Sequence, residues 1–132
     1  MDLFSKDRPK AVILDTNMLI FSAKLPFDIA YELKKRGFET ILVPSFVVSE
    51  LESIASYGRP KETKFAKLAL EIAKGFDRLD ESAPGGEVDE KLFSLAKTGK
   101  YVIATADTPL RRRLIREGLD VVYLKDGLPV IS

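Results

Sequence analysis

The chain has 132 residues, 45% apolar and 31% charged, and it is expected to form a single domain over residues 1–132. Its 21 basic and 20 acidic side chains leave a net charge of +1, so no overall field draws it toward nucleic acid or a membrane. With no Cys and no His, disulfide scaffolds, thiolate or imidazole metal sites, cysteine nucleophiles and Ser-His-Asp triads are excluded, and catalysis is left to carboxylates, Lys/Arg, hydroxyls or a metal held by oxygen.

The N-terminal MDLFSKDRPK is polar, and no apolar run approaches the roughly 18 residues of a membrane span, which predicts a soluble, cytoplasmic chain. Ala11-Val12-Ile13-Leu14 is apolar on both faces and predicts a buried strand of a parallel sheet, ending at Asp15-Thr16-Asn17. Met18 to Lys24 predicts a helix. Pro26 opens a second, with Ile29, Ala30 and Leu33 as its stripe and Gly37 as its stop. Thr40 to Val43 is another buried strand, and Pro44-Ser45 leads into a helix with Val47, Val48, Leu51, Ile54 and Ala55 at helical spacing. Gly58-Arg59-Pro60 breaks it. The next helix, from about Lys61 to Lys74, places Phe65, Leu68, Ala69 and Ile72 on its inner face and ends at Gly75.

Phe76 to Leu79 reads as an edge strand, Ala83-Pro84-Gly85-Gly86 as a loop, and Val88 to Thr98 as a helix closed by Gly99. Tyr101 to Thr105 is a third strong strand, followed by a helix starting at Asp107-Thr108-Pro109, with Leu110, Leu114 and Ile115 inward and Gly118 as its stop. Val121 to Leu124 and Leu128 to Ile131 complete the strands. Strands and helices alternating at this spacing predict an α/β fold with a parallel sheet covered on both faces.

In such folds the binding crevice lies beyond the carboxyl ends of the strands. Asp15 follows the first strand directly and Asp107 follows the Tyr101–Thr105 strand closely, so neighbouring strands would bring both acids to one site. Each also suits a plain helix cap, and Thr108 could take that role in place of Asp107, with Pro109 at the first helical position. Glu50 sits in an apolar helical stretch, where a surface acid is ordinary. Asp89, beside Glu90, opens a helix, where an acid complements the dipole. Asp77, Asp80, Glu81 and Glu87 read as solvated loop charge. Three or four carboxylates within about 4–6 Å repel one another unless one is protonated or a cation lies between them. All-oxygen ligands select Mg²⁺ or Mn²⁺, whose chemistry is hydrolysis of phosphate esters.

From Lys91 to Arg116 the basic residues are Lys91, Lys97, Lys100, Arg111, Arg112, Arg113 and Arg116, against Asp107 alone. The run from Arg111 to Arg116 begins one turn beyond Asp107 and suits phosphates on either side of a scissile one. Arg59, Lys61, Lys64, Lys67 and Lys74 form a second basic stretch that also fits a solvated helix face. Tyr57 fits either a base-stacking position or a buried one. No Walker-type loop and no Gly-x-Gly-x-x-Gly is present. A haloacid-dehalogenase-like phosphatase would want a second Asp where this chain has Asn17.

AVILDTNMLI, VPSFVVSELESI, VDEKLFSLA and YVIATADTPLRRRL, in this order and spacing, resemble the PIN domain family over nearly the whole chain. The resemblance implies a three-layer α/β/α nuclease with a central parallel sheet ordered 3-2-1-4-5. It implies Asp15, Glu50, Asp89 and Asp107 as acids binding Mg²⁺ or Mn²⁺, with Asn17 and Thr105 as supporting polar neighbours. Many relatives carry two adjacent Asp residues where this chain has Asp89-Glu90. The ATADTPLRRRL stretch resembles the archaeal and eukaryotic branch that processes small-subunit ribosomal RNA, and VapC-type toxins share the four acids.

The implied function is a metal-dependent endoribonuclease acting on single-stranded or loop RNA. Asp15 and Asp107 would hold the principal ion and Glu50 and Asp89 complete its shell. In-line attack by water would leave a 5′-phosphate and a 3′-hydroxyl, while Arg111, Arg112, Arg113 and Arg116 grip the strand. The alternatives are a toxin held by an antitoxin, a non-catalytic module binding RNA or a ribosome-assembly factor, and a small-molecule phosphatase. A homodimer is expected by analogy with relatives, and no membrane partner is.

Overall fold

The computed structural model describes residues 9–25, 28–80 and 85–132. Along the chain they form β1 (Ala11–Leu14), α1 (Thr16–Lys24), α2 (Ile29–Lys35), β2 (Thr40–Pro44), α3 (Ser45–Tyr57), α4 (Pro60–Ala73) and β3 (Asp77–Leu79). The second half continues with α5 (Val88–Lys97), β4 (Tyr101–Ala104), α6 (Thr108–Arg116), β5 (Val121–Lys125) and β6 (Leu128–Ile131). The readings at residues 1–8, Pro26, Glu81, Ala83 and Pro84 lie outside the described residues.

The strands form one sheet in the order β3-β2-β1-β4-β5-β6. The first five are parallel and reproduce the expected 3-2-1-4-5 order. Because strand side chains alternate between faces, β1 feeds two cores. Val12 and Leu14 pack with Met18 and Leu19 of α1, Leu33 of α2, Val47 and Leu51 of α3 and Ala69 of α4. Ile13 points the other way, onto Leu92 and Leu95 of α5 and Leu110 and Leu114 of α6. The result is the three-layer α/β/α arrangement. The chain winds outward from β1 through β2 and β3, then returns to β4 on the opposite side of β1. The carboxyl ends of β1 and β4 therefore flank the switch point, where such sheets bind ligands.

Several expectations are corrected. The inner face of α4 is Ala66, Ala69 and Ala73, while Phe65 and Ile72 are half-buried and Leu68 is 44% exposed. This helix lies against α1 and α3, and small side chains at the contact let helix axes come close. Ile115 is likewise an exposed residue of α6 and not an inward one. Helix α2 begins after Asp28, whose carboxylate accepts from the Tyr31 N–H at 3.1 Å. Strand β6 runs antiparallel to β5. Asp126 and Gly127 between them both have positive φ, 54° and 80°, the geometry of a tight type I′ hairpin. Pro129 lies on this outer strand, paired with Leu124.

Candidate active site

The β1–β4 register pairs Leu14 with Ala104, so the residues that follow, Asp15 and Thr105, leave the sheet side by side. The Asp15 N–H still donates to the Ala104 carbonyl at 3.0 Å, which ties the two exits together. Beyond them the chain turns into α1 and α6, and an acid caps each helix. Asp15 Oδ1 accepts from the Met18 N–H at 2.6 Å, and Asp107 Oδ1 from the Leu110 N–H at 3.1 Å. Asp107 is the cap of α6 and Thr108 its first residue, so the alternative cap at Thr108 is not used.

Thr105 is fully buried and joins the two acids. Its hydroxyl donates to Asp15 Oδ2 and accepts the Asp107 backbone N–H at 2.9 Å. Asp15 is only 3% exposed. Burial pushes its carboxyl up to about 7, against the lowering pull of the Thr105 and Met18 hydrogen bonds; charge on Asp89 and Asp107 pushes the same way as burial.

In front of this buried acid lies a cleft of about 560 Å³, whose walls include Thr16, Asn17, Glu50, Glu87, Asp89 and Asp107. Glu50 is half-buried on α3, and Asp89 stands in the first turn of α5. Partial withdrawal from water raises the Asp89 carboxyl to about 6. The Asp107 charge, a side-chain hydrogen bond with Asp107, and the charges on Glu50 and Glu87 contribute to the same rise. Glu90 is turned elsewhere, its Oε1 2.6 Å from Arg113 Nη1. Of the adjacent acids, Asp89 is the one brought to the cleft.

Sequence reasoning missed two members of this wall. Glu87, read as loop charge, lines the cleft, but it stands in a loop where no periodicity could reveal its direction. Thr16, inside the Asp-Thr-Asn turn, is 5% exposed and its Oγ1 has no hydrogen-bond partner. A buried hydroxyl without a partner is costly unless something fills the space beside it.

The basic residues of α6 divide. Arg112 and Arg116 are exposed. Arg113 pairs with Glu90, and its guanidinium carbon lies 3.8 Å from the centre of the Phe93 ring. Arg111 is half-buried, 4.6 Å from the centre of the Tyr123 ring. On α4, Lys61, Lys64 and Lys67 are exposed and Lys74 pairs with Glu71 at 2.9 Å, the pattern of a solvated face. Tyr57 is 88% exposed.

Among the described residues no three acidic side chains are arranged as a ready-made metal cage. Mg²⁺ does not require one, because it keeps several waters and is held by one or two carboxylates. The donor set fits such an ion: the ligands on offer are oxygen alone, like charges raise the carboxyls facing each other, and the Thr16 hydroxyl lacks a partner. Asp15, Glu50, Asp89 and Asp107 are the residues that could hold it.

A parallel sheet reversing between β1 and β4, with acids gathered at that point, defines a three-layer α/β/α protein with an acidic cleft at its switch point. The profile of the family described as "PIN like domain" matches residues 12–127, and the chain belongs to that family. Among its relatives is Ribonuclease VapC9 of Archaeoglobus fulgidus, 28% identical over 120 residues that cover 91% of this chain and 87% of that protein. The structure of the PIN domain endonuclease Utp24 superposes with a TM-score of 0.75 at 25% identity, over 92% of this chain and 90% of that one. No helix among the described residues is long and apolar enough to cross a membrane.

Proposed function

We propose that the chain, as one domain over residues 1–132, is a divalent-metal-dependent endoribonuclease that cuts single-stranded or loop RNA in the cytoplasm. The observation that carries this reading is the gathering of Glu50, Asp89 and Asp107 in one cleft, directly in front of the buried Asp15. Asp15 and Asp107, linked through Thr105, would hold the principal Mg²⁺ or Mn²⁺, with Glu50 and Asp89 beside them. Each carboxylate oxygen of Asp15 accepts one hydrogen bond and keeps a further lone pair for this role. Bound there, the ion supplies Lewis acidity toward a phosphoryl oxygen and lowers the pKa of water.

The chain's own residues do the rest. Asn17 and Thr16 line the cleft with polar groups that orient what enters it. The exposed guanidinium groups of Arg112 and Arg116 hold phosphates further along the strand, with an affinity that falls as salt rises. The finer role we propose is ribosomal RNA processing, on the ATADTPLRRRL stretch. The similarity to Ribonuclease VapC9 favours a second reading, a toxin held by an antitoxin. Growth arrest on expression, relieved by a protein encoded beside it, would support that one.

The test is cleavage of a labelled structured RNA by wild type and by Asp107→Asn, each with Mn²⁺, Mg²⁺ or EDTA. Cutting that needs the metal and vanishes in the variant is expected. Folded wild type that binds the RNA and cuts nothing would overturn the enzymatic reading in favour of a binding module.

A further inference from the structure

Asp107 forms part of two walls. On one side is the acidic cleft; on the other is a separate cavity of about 230 Å³, bounded by Phe21, Arg111, Tyr123 and Leu124. Its chemistry is unlike that of the cleft. The Arg111 guanidinium lies over the Tyr123 ring, 4.6 Å from its centre, and makes no ion pair among the described residues. Phe21 reaches the cavity from α1 and is 41% exposed, so its ring is open to a ligand from solvent.

Arg113, two residues on and so about 200° round the same helix, gives the contrast. It too lies over an aromatic ring, but Glu90 neutralises it and it faces neither the cleft nor this cavity. Arg111 has the planar cation, the aromatic backing and the open space, and although Asp107 shares the wall it forms no ion pair with Arg111. Unpaired bases of single-stranded RNA stack on aromatic rings and on guanidinium planes. A phosphate site would have no use for an exposed Phe.

We propose that the Phe21–Arg111–Tyr123 cavity is a nucleobase subsite, which takes the base of the nucleotide next to the phosphate held at Asp107. Phe21 and the Arg111 plane bracket the base, and Tyr123 holds Arg111 in orientation from behind. The inference rests on the ribonuclease reading and adds to it a requirement for one splayed, unpaired base beside the cut. Arg111 thereby changes from a phosphate contact to a base contact.

Anisotropy titrations with a labelled tetranucleotide RNA, and with copies lacking one base at a time but keeping ribose and phosphate, test the subsite. Removal of one particular base is expected to weaken binding to wild type by about tenfold or more. Phe21→Ala and Arg111→Lys, both at solvent-reaching positions and checked by thermal melting, should bind intact RNA correspondingly worse and become indifferent to that base. Arg111→Lys keeps the charge and removes the plane, so a lysine variant that behaves as wild type would overturn the stacking role. Equal binding of every base-lacking copy to wild type would overturn the subsite alone. Failure of wild type to bind any of these RNAs at low salt would overturn the ribonuclease reading together with it.

Discussion

The Thr105 hydroxyl donates its one proton to Asp15, 90 positions earlier in the chain, and accepts the backbone N–H of Asp107 in return. One small side chain thus sets the position of both acids that end the central strands. Thr105→Val keeps the shape and removes both bonds. It leaves the half-buried Asp107 N–H without this acceptor, at a cost of about 1 kcal/mol, measurable by urea unfolding. It also removes a bond that holds the Asp15 carboxyl down, so the activity profile should move to higher pH. Thr105→Ser should restore both properties; a serine variant as impaired as the valine one would assign the role to packing.

Stability of the metal-free protein should fall as pH rises from about 4 to about 7. The sign follows from the direction of the shifts: Asp15 at about 7 and Asp89 at about 6 keep protons in the folded state that the unfolded chain has already released. The contribution is therefore present in full at acid pH and is lost as pH passes through the folded values. Thermal melts in EDTA across this range would check it, and Asp15→Asn should flatten the slope. Mg²⁺ should raise the melting temperature most near and above pH 7, where the acids are ionised.

Asp107→Asn should separate activity from stability. Asn remains a good helix cap, so the start of α6 is kept, while one of the charges that crowd Asp89 is removed. The expected result is a cleavage rate lower by a factor of about 100 or more in a protein at least as stable in EDTA as wild type. A marked loss of melting temperature would mean that Asp107 serves the fold first.

Substitutions along α6 should have unlike effects. Arg112→Ala and Arg116→Ala should each weaken RNA binding across sequences and lower the salt slope by about 1. Arg113→Ala, which loses the Glu90 pair and the Phe93 contact, should cost about 0.5–1 kcal/mol of stability and leave RNA affinity nearly unchanged. Filter binding over a salt series, beside denaturation curves, distinguishes the two groups.

Strands β1 and β4 were legible because their residues are apolar on both faces, which only the middle of a covered sheet accommodates, and their ends then located Asp15 and Asp107. The inner face of α4 was not legible. Leu68 is more apolar than Ala66, yet the spacing of α4 from α1 and α3 decides which of them fits inside, and that spacing is a tertiary quantity. Arg111 and Arg113 could be put on a helix from sequence, but their partners Tyr123 and Glu90 come from other elements. The Asp126-Gly127 hairpin was signalled by its dipeptide, and its antiparallel consequence for β6 went unread. Glu87 had no periodic neighbour to orient it.

The β5–β6 hairpin has a consequence for how these molecules meet. The described sheet ends on one side in β3, three residues long and bearing Asp77 and Arg78, and on the other in β6, where Pro129 offers no N–H. Short, charged or proline-bearing rims resist being extended strand by strand by another chain. Neighbours at high concentration are thus denied a template for fibrous growth, and contact between copies is left to the helical flanks.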